Sequence, residues 1–473
     1  MERLHEIGRI KAYRSDQLTN KRFGIGLEKL DRNVFDPNKT YDAIQNIGVH
    51  YVRLQSGWAR TERVKGVYDF AWLDEIVDNL IARGLEPWLC LCYGNGLYSE
   101  SANQYFGCVG VPPIFTDEEK MGWKNYCTAV AKHYRGRIHK YEVWNEPDGK
   151  SLWKHGPDGA QYGRFVCDTS VAVKSVDSEA EIIAGSIAKR FSVKWLEDAF
   201  STGMAEHIDA LTYHLYQPSE RLAPATVTMW RTIAHKYGKH IKIIQGESGC
   251  PSSSLGHGAI HSGAWTQERQ AKLLLRRQLV DLTTGVEFSS HFTTVDMIEA
   301  LKGLQSEKAS YLDYGYFGVL QAEFDENGCS IGEYKPKLSY YAFQNLCAVF
   351  GNGAEQTDLP VMFSDPVYAK RVYGMTENPA DLTTVCFRKE NGSTALFYYK
   401  PTDLLKESFV GYTSITASMP MDMLRLTDLL TGKVYAIPES MLNVQGSGVF
   451  DIIELLVKDY PMMLTFGDFF DVE

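Results

Sequence analysis

The chain has 473 residues, 44% apolar and 23% charged, which is the balance of a globular protein with room for more than one domain and excludes disordered and fibrous classes. Forty-nine Lys and Arg against 59 Asp and Glu leave a net charge of -10, and the basic residues are scattered, which speaks against nucleic acid as a partner. No apolar run approaches the roughly 18 residues of a membrane span, and the N-terminus MERLHEIGRIKAYRSD has charges where a signal peptide needs an apolar stretch, so no membrane partner is expected. The nine cysteines are mostly lone residues in apolar runs, as in reduced core positions. A cytoplasmic location is expected, or a periplasmic or secreted one if a leader has been removed. Oligomeric state is not readable.

Taken in order, residues 1–20 are expected to add a strand to a later β domain. From 21 to 350, strand-like runs alternate with amphipathic helical patterns, which argues for parallel βαβ units. Eight runs are predicted, at 22–28, 49–55, 86–93, 139–146, 181–188, 208–216, 241–247 and 286–292. After the second run, Phe70, Leu73, Ile76, Val77, Leu80 and Ile81 fall at helical spacing, with Gly84 as the stop. After the third, Thr116 and Glu119 form a capping-box pattern ahead of Trp123, Tyr126, Cys127, Val130 and Tyr134, with Gly136 as the stop. From 351 to 473 short alternating runs separated by turn residues indicate a β-sandwich. The fold class is therefore α/β: a (β/α)8 TIM barrel with an accessory C-terminal β-sandwich.

In such a barrel the chemistry lies at the C-terminal strand ends. The fourth run ends in VWNEPDG and the seventh in IIQGESG, which places Glu146 and Glu247 at two strand tips facing one mouth. Paired carboxylates there suit glycoside hydrolysis, one protonating the leaving oxygen and the other attacking or activating water. Other signals are weaker. Ser186-x-x-Lys189 lacks the companion motifs of penicillin-recognising enzymes, Gly246-Glu247-Ser248-Gly249 lacks the second glycine of a nucleophile elbow, and His257 and His261 lie among glycines without an intervening Glu. Cys90 and Cys92 alternate on one strand and are read as packing residues.

The WNEP motif and the second glutamate about a hundred residues later resemble clan A of the glycoside hydrolases. The segment GWARTERVKGVYDFAWLDEIVDNLIARGLEPWL and the two-domain layout look most like family 39, which holds β-xylosidases and α-L-iduronidases; families 5, 30 and 51 share much of this. The resemblance spans 22–350. It implies Glu146 as acid/base and Glu247 as nucleophile of a retaining mechanism without metal or organic cofactor. It also implies Arg53 bonding the nucleophile, Asn145 bonding the sugar 2-hydroxyl, and His214 and Tyr216 as the clan's His-x-Tyr. Trp58 and Phe292 complete the predicted substrate-binding set. The clan's aromatic at the eighth strand end, commonly Trp, is missing, since no Trp follows Trp265; Phe292 or His291 is the expected substitute.

A carbohydrate is thus the expected partner. The alternative is a carbohydrate-binding barrel that has lost turnover. Which sugar is bound is not readable; Lys189 and Arg190 could meet a uronate carboxylate, although solvated surface charge is the favoured reading. Two long connections, residues 93–115 and 248–265, are expected to wall the mouth into a pocket and so to make the action exo.

Overall fold

The computed structural model describes residues 4–364, 371–372 and 381–473. Its centre is a closed barrel of eight parallel strands: Phe23–Gly26, Tyr51–Gln55, Glu86–Leu91, Lys140–Val143, Glu181–Ile187, Ala210–His214, Lys242–Ser248 and Ser289–His291. The last pairs with the first, Phe23 opposite Ser289. Strands such as Tyr51–Gln55 are buried along their whole length, which is why they read as continuous apolar runs. Inside the barrel, Tyr51, Trp88, Ile183, Ala210, Ile244 and Phe288 form a separate apolar cluster, with the rings of Tyr51 and Phe288 stacked at 4.1 Å. This plug fills one end of the barrel, so buried polar groups collect toward the other.

All eight runs correspond to barrel strands, although several strands end earlier than predicted. The fourth stops at Val143 and the sixth at His214, so Asn145, Glu146 and Tyr216 lie in the turns beyond. The helix Ala71–Ile81 buries Leu73, Ile76, Val77 and Leu80. It ends on Ala82 in right-handed conformation, and Gly84 (φ 75°) follows two residues later. In Asp117–Tyr134 the capping box is formed: Glu119 N–H donates to Thr116 Oγ1 and Thr116 N–H to Glu119 Oε2, both at 3.1 Å.

One excursion was not foreseen. After the eighth strand the chain makes a short ladder, Met297–Ile298 with Tyr314–Gly315, and a hairpin, Leu320–Phe324 with Ser330–Pro336. Only then does it enter the helix Leu338–Val349.

Among the described residues the C-terminal part forms two antiparallel sheets, of seven and four strands. His5–Arg9 is an edge strand of the larger one, paired with Lys433–Ala436. Tyr398, in the larger sheet, donates its hydroxyl to Leu456 O in the smaller at 3.0 Å. Among the described residues no helix is long and apolar enough to cross a membrane.

The helix Gln267–Leu282 joins the two parts. Every residue from Gln270 to Leu282 is buried, including six that are polar or charged, and these need partners at that depth. Arg277 pairs with Asp281 at 2.9 Å. Arg276 donates to Asp459 O at 2.6 Å, Thr402 O at 2.9 Å and Lys400 O at 3.1 Å, all in the β domain. Truncating a buried cation that saturates three carbonyls leaves those acceptors orphaned, so Arg276→Ala is expected to lower unfolding stability by about 3–5 kcal/mol. Guanidinium denaturation monitored by tryptophan fluorescence checks this; a loss below about 1 kcal/mol would show that the junction is not held there.

Candidate active site

The turn after the fourth strand presents the WNEP residues on an unusual backbone. Trp144 and Glu146 have φ of 69° and 47°, a region costly for residues with a Cβ. The surroundings hold it in place. Trp144 donates Nε1–H to Leu152 O at 2.7 Å, and its own carbonyl accepts from Ser186 Oγ at 3.1 Å and Cys90 Sγ at 3.3 Å. Cys90 is therefore a packing residue that also braces the motif. The twist turns Glu146 into a cavity of about 460 Å³, within the roughly 300–1,000 Å³ range of small-ligand sites.

Glu247 enters the same cavity from the seventh strand. Arg53 NH1 donates to its Oε2 at 2.8 Å, and the Tyr216 hydroxyl makes a short hydrogen bond to its Oε1. His214 Nδ1 lies 2.9 Å from Glu146 Oε1 and 3.7 Å from Glu247 Oε2, so one imidazole bridges the two carboxylates. Glu146, His214 and Glu247 each offer an atom within 4.8 Å of the others. A metal could use such spacing, but Arg53 and Tyr216 already occupy both oxygens of Glu247.

Environment splits the two carboxylates. Burial works against the charge of Glu247, but His214, Arg53 and the Tyr216 hydrogen bond outweigh it and hold its pKa below the usual carboxylate range. Glu146 lacks the arginine. Burial raises its pKa, and the hydrogen bond and charge of His214 offset this only in part. His214 is raised in turn, its burial overcome by the two glutamates.

Arg53 ties the site together. Wholly buried, it also donates from Nε to Glu142 at 2.7 Å and from NH2 to Asn145 Oδ1 at 2.9 Å. It does not line the cavity, so its place is behind Glu247. Asn145 does line it, with Nδ2 also donating to the Tyr93 hydroxyl at 3.1 Å.

Phe292 reaches the cavity, flanked by Phe317 at 5.7 Å between ring centroids. His291 does not; it is buried against Phe343, because neighbouring strand residues face opposite ways. Trp58, predicted to bind substrate, is a correction. Fully buried, it stacks on Tyr98 and Tyr126 and donates Nε1–H to Glu62 at 2.5 Å. Its large apolar ring is core packing for the helix Trp58–Thr61. Lys189 and Arg190 lie outside the cavity lining, and Arg190 sits over the exposed ring of Phe191.

Of the two long connections, residues 248–265 contribute His257, Gly258, Ala259 and His261 to the wall. Residues 93–115 contribute none. Instead Phe106 N–H donates to Gly303 O, and Gln104 O accepts from Gln305 N–H, which braces the 299–304 loop behind the wall. Charged groups at the cavity that were missed in the sequence include Glu28, Lys29, Glu299, Lys302 and Asp313. Glu28 closes the first predicted run, so the strand-end rule could have found it. Burial and the charge of Glu247 push its pKa up to about 7 against the pull of Arg53. Glu299 sits in the unforeseen excursion, where no motif points to it.

Residues 30–245 match the family described as "Glycosyl hydrolases family 39", a span that includes Glu146 and stops two residues short of Glu247. A β-xylosidase of Geobacillus stearothermophilus is 26% identical over 163 residues, covering 32% of this chain and 31% of that protein; the match thus spans under a third of the relative's length. Among solved structures, a family 39 glycoside hydrolase from Bacteroides cellulosilyticus WH2 aligns over 96% of this chain and 82% of its own, with a TM-score of 0.67 and 17% identity. A monomeric β-xylosidase from Caulobacter crescentus CB15 aligns over 97% of both chains, with a TM-score of 0.60 and 16% identity. Those likenesses carry the fold, and the family match carries the sequence: residues 30–245 of the barrel are similar to glycosyl hydrolases of family 39.

Proposed function

We propose that the protein is a retaining exo-glycosidase, β-xylosidase-like in its chemistry. The observation that carries this reading is the carboxylate pair: an oxygen of Glu146 and one of Glu247 lie within 4.8 Å. That is close to the roughly 5–5.5 Å of retaining enzymes and short of the roughly 6.5–9.5 Å that an inverting water needs. The split in their pKa values adds to it. Glu247, held ionised by Arg53 and Tyr216, attacks the anomeric carbon. Glu146, kept protonated more easily, gives its proton to the leaving oxygen, then as carboxylate takes one from the water that cleaves the glycosyl-enzyme ester. His214 Nδ1 shares a hydrogen bond of 2.9 Å with Glu146 Oε1 and steadies that alternation. Asn145 keeps a free amide N–H for the sugar 2-hydroxyl, a bond that strengthens as the ring gains positive charge. A barrel kept only for binding has no use for this division between two carboxylates.

Replacing Glu247 with Ala should cut turnover of aryl glycosides by at least about 10³-fold, with azide restoring part of it as the inverted glycosyl azide. Near-normal turnover of Glu247→Ala would remove the assignment.

For Glu146→Gln, glycosides with poor leaving groups should suffer far more than nitrophenyl glycosides, because only the former need the proton in the first step. The wild-type pH profile of kcat/KM should be a bell. Its acidic limb, where Glu247 takes up a proton, lies below the ordinary carboxylate range, and its basic limb, where Glu146 loses one, lies above it. In Glu146→Gln the basic limb should disappear; its persistence would assign the acid elsewhere.

The cavity walled by residues 257–261 and 299–302 supports exo action. A singly end-labelled oligosaccharide should shed single terminal sugars, and early mid-length fragments would indicate an open groove instead.

A further inference from the structure

The cavity contains an ion pair that the two-glutamate chemistry does not use. Lys29 follows the first barrel strand, and Glu299 lies on the excursion after the eighth. Lys29 Nζ and Glu299 Oε2 are 3.4 Å apart, with side chains only 3% and 10% exposed. Burying both charges is costly, and one weak contact does not offset it. Each partner also has hydrogen-bonding capacity in reserve. Of its three N–H groups, Lys29 uses one on Ile298 O at 3.0 Å and one on Glu299. Among the described residues no hydrogen bond is made to Glu299 Oε1.

The backbone makes room for that oxygen. A Cβ on Gly315 would lie 2.5 Å from it, and one on Gly258 2.7 Å, so glycine at both positions keeps the carboxylate in place. Phe292 closes another side, its ring centroid 5.2 Å from Lys29 Nζ. An ammonium donor and a carboxylate acceptor lie side by side, beside an aromatic face and in the same cavity as the nucleophile.

We propose that Lys29 and Glu299 read a vicinal diol of the terminal sugar, the ammonium donating to one hydroxyl and the carboxylate accepting from its neighbour. Phe292 takes the apolar C–H face of the ring. This rests on the glycosidase reading and narrows its substrate class to a neutral sugar with two adjacent free hydroxyls. A uronate fits poorly, because the charge of Lys29 is already balanced and the carboxylates of Glu28, Glu146, Glu247, Glu299 and Asp313 outnumber the ammonium groups of Lys29 and Lys302 on the cavity wall.

The test crosses enzyme with substrate. Wild type, Lys29→Met and Glu299→Gln are each assayed on the nitrophenyl glycoside that wild type hydrolyses best and on its 3-deoxy and 4-deoxy analogues. Wild type should lose about 10–100-fold in kcat/KM with the analogue missing a hydroxyl that is read. The variants should already be weakened by a similar factor on the parent and lose less than about 3-fold more on the analogue. Undiminished deoxy discrimination in both variants would overturn the proposal. Glu299→Gln is nearly isosteric and serves if Lys29→Met does not fold. Calorimetry with the free sugar and its deoxy forms repeats the cycle without turnover, so the diol is tested even if hydrolysis fails. If wild type hydrolyses the parent, the glycosidase reading stands whichever way the cycle falls.

Discussion

A guanidinium with no access to water must be solvated entirely by the protein around it, and at Arg53 that requirement organises the barrel mouth. Its donors go to Glu142, Glu247 and Asn145, and Glu28 lies within 3.5 Å. These partners come from the fourth strand, the seventh, the turn after the fourth and the segment just after the first. A charge that needs four neighbours from several strands fixes how those strands stand relative to one another. It also sets the electrostatics. One arginine serving Glu247 and not Glu146 makes two identical side chains, within 4.8 Å of each other, suited to opposite tasks. Hydrogen bonds carry the remainder of the division, Tyr216 to one and His214 to the other.

The barrel was legible in the sequence because its signals are local and redundant. An apolar run, a helical pattern and a capping box such as Thr116 with Glu119 each follow from nearest-neighbour physics. Glu146 and Glu247 were legible because a strand end in this fold is a place with a known orientation. Trp58 shows the limit of that argument. It also follows a strand, yet the chain turns at Gly57 (φ 64°) into a helix that buries the indole under Tyr98 and Tyr126. Position along the sequence names the end of the barrel, and local backbone direction decides between mouth and core.

The far wall of the cavity was unreadable for a different reason. Glu299, Asp313 and Phe317 come from an excursion held by a two-residue ladder and by backbone contacts to residues 104–106, none of which has a periodicity to detect. The absent tryptophan was legible, and its replacement was narrowed only to Phe292 or His291. Phe292 and His291 are neighbours of similar size, and only the alternation of the strand sends one inward and the other onto Phe343.

The helix Gln267–Leu282 explains why an accessory domain sits where it does. Its Arg277 donates to Leu215 O at 2.9 Å, gripping the backbone between His214 and Tyr216, which both hydrogen-bond to the glutamates. One position earlier, Arg276 is anchored on three carbonyls of the β domain. Gln270, nearer the helix start, donates to Cys250 O at 3.0 Å and to Phe317 O at 3.2 Å, and so ties the segment after Glu247 to the cavity wall. A helix buried on all sides cannot shift to follow a moving loop without breaking these bonds. The β domain therefore clamps the outer face of the helix whose inner face holds the turns beside Glu146 and Glu247, and tight placement of the two carboxylates depends on a contact far from either of them.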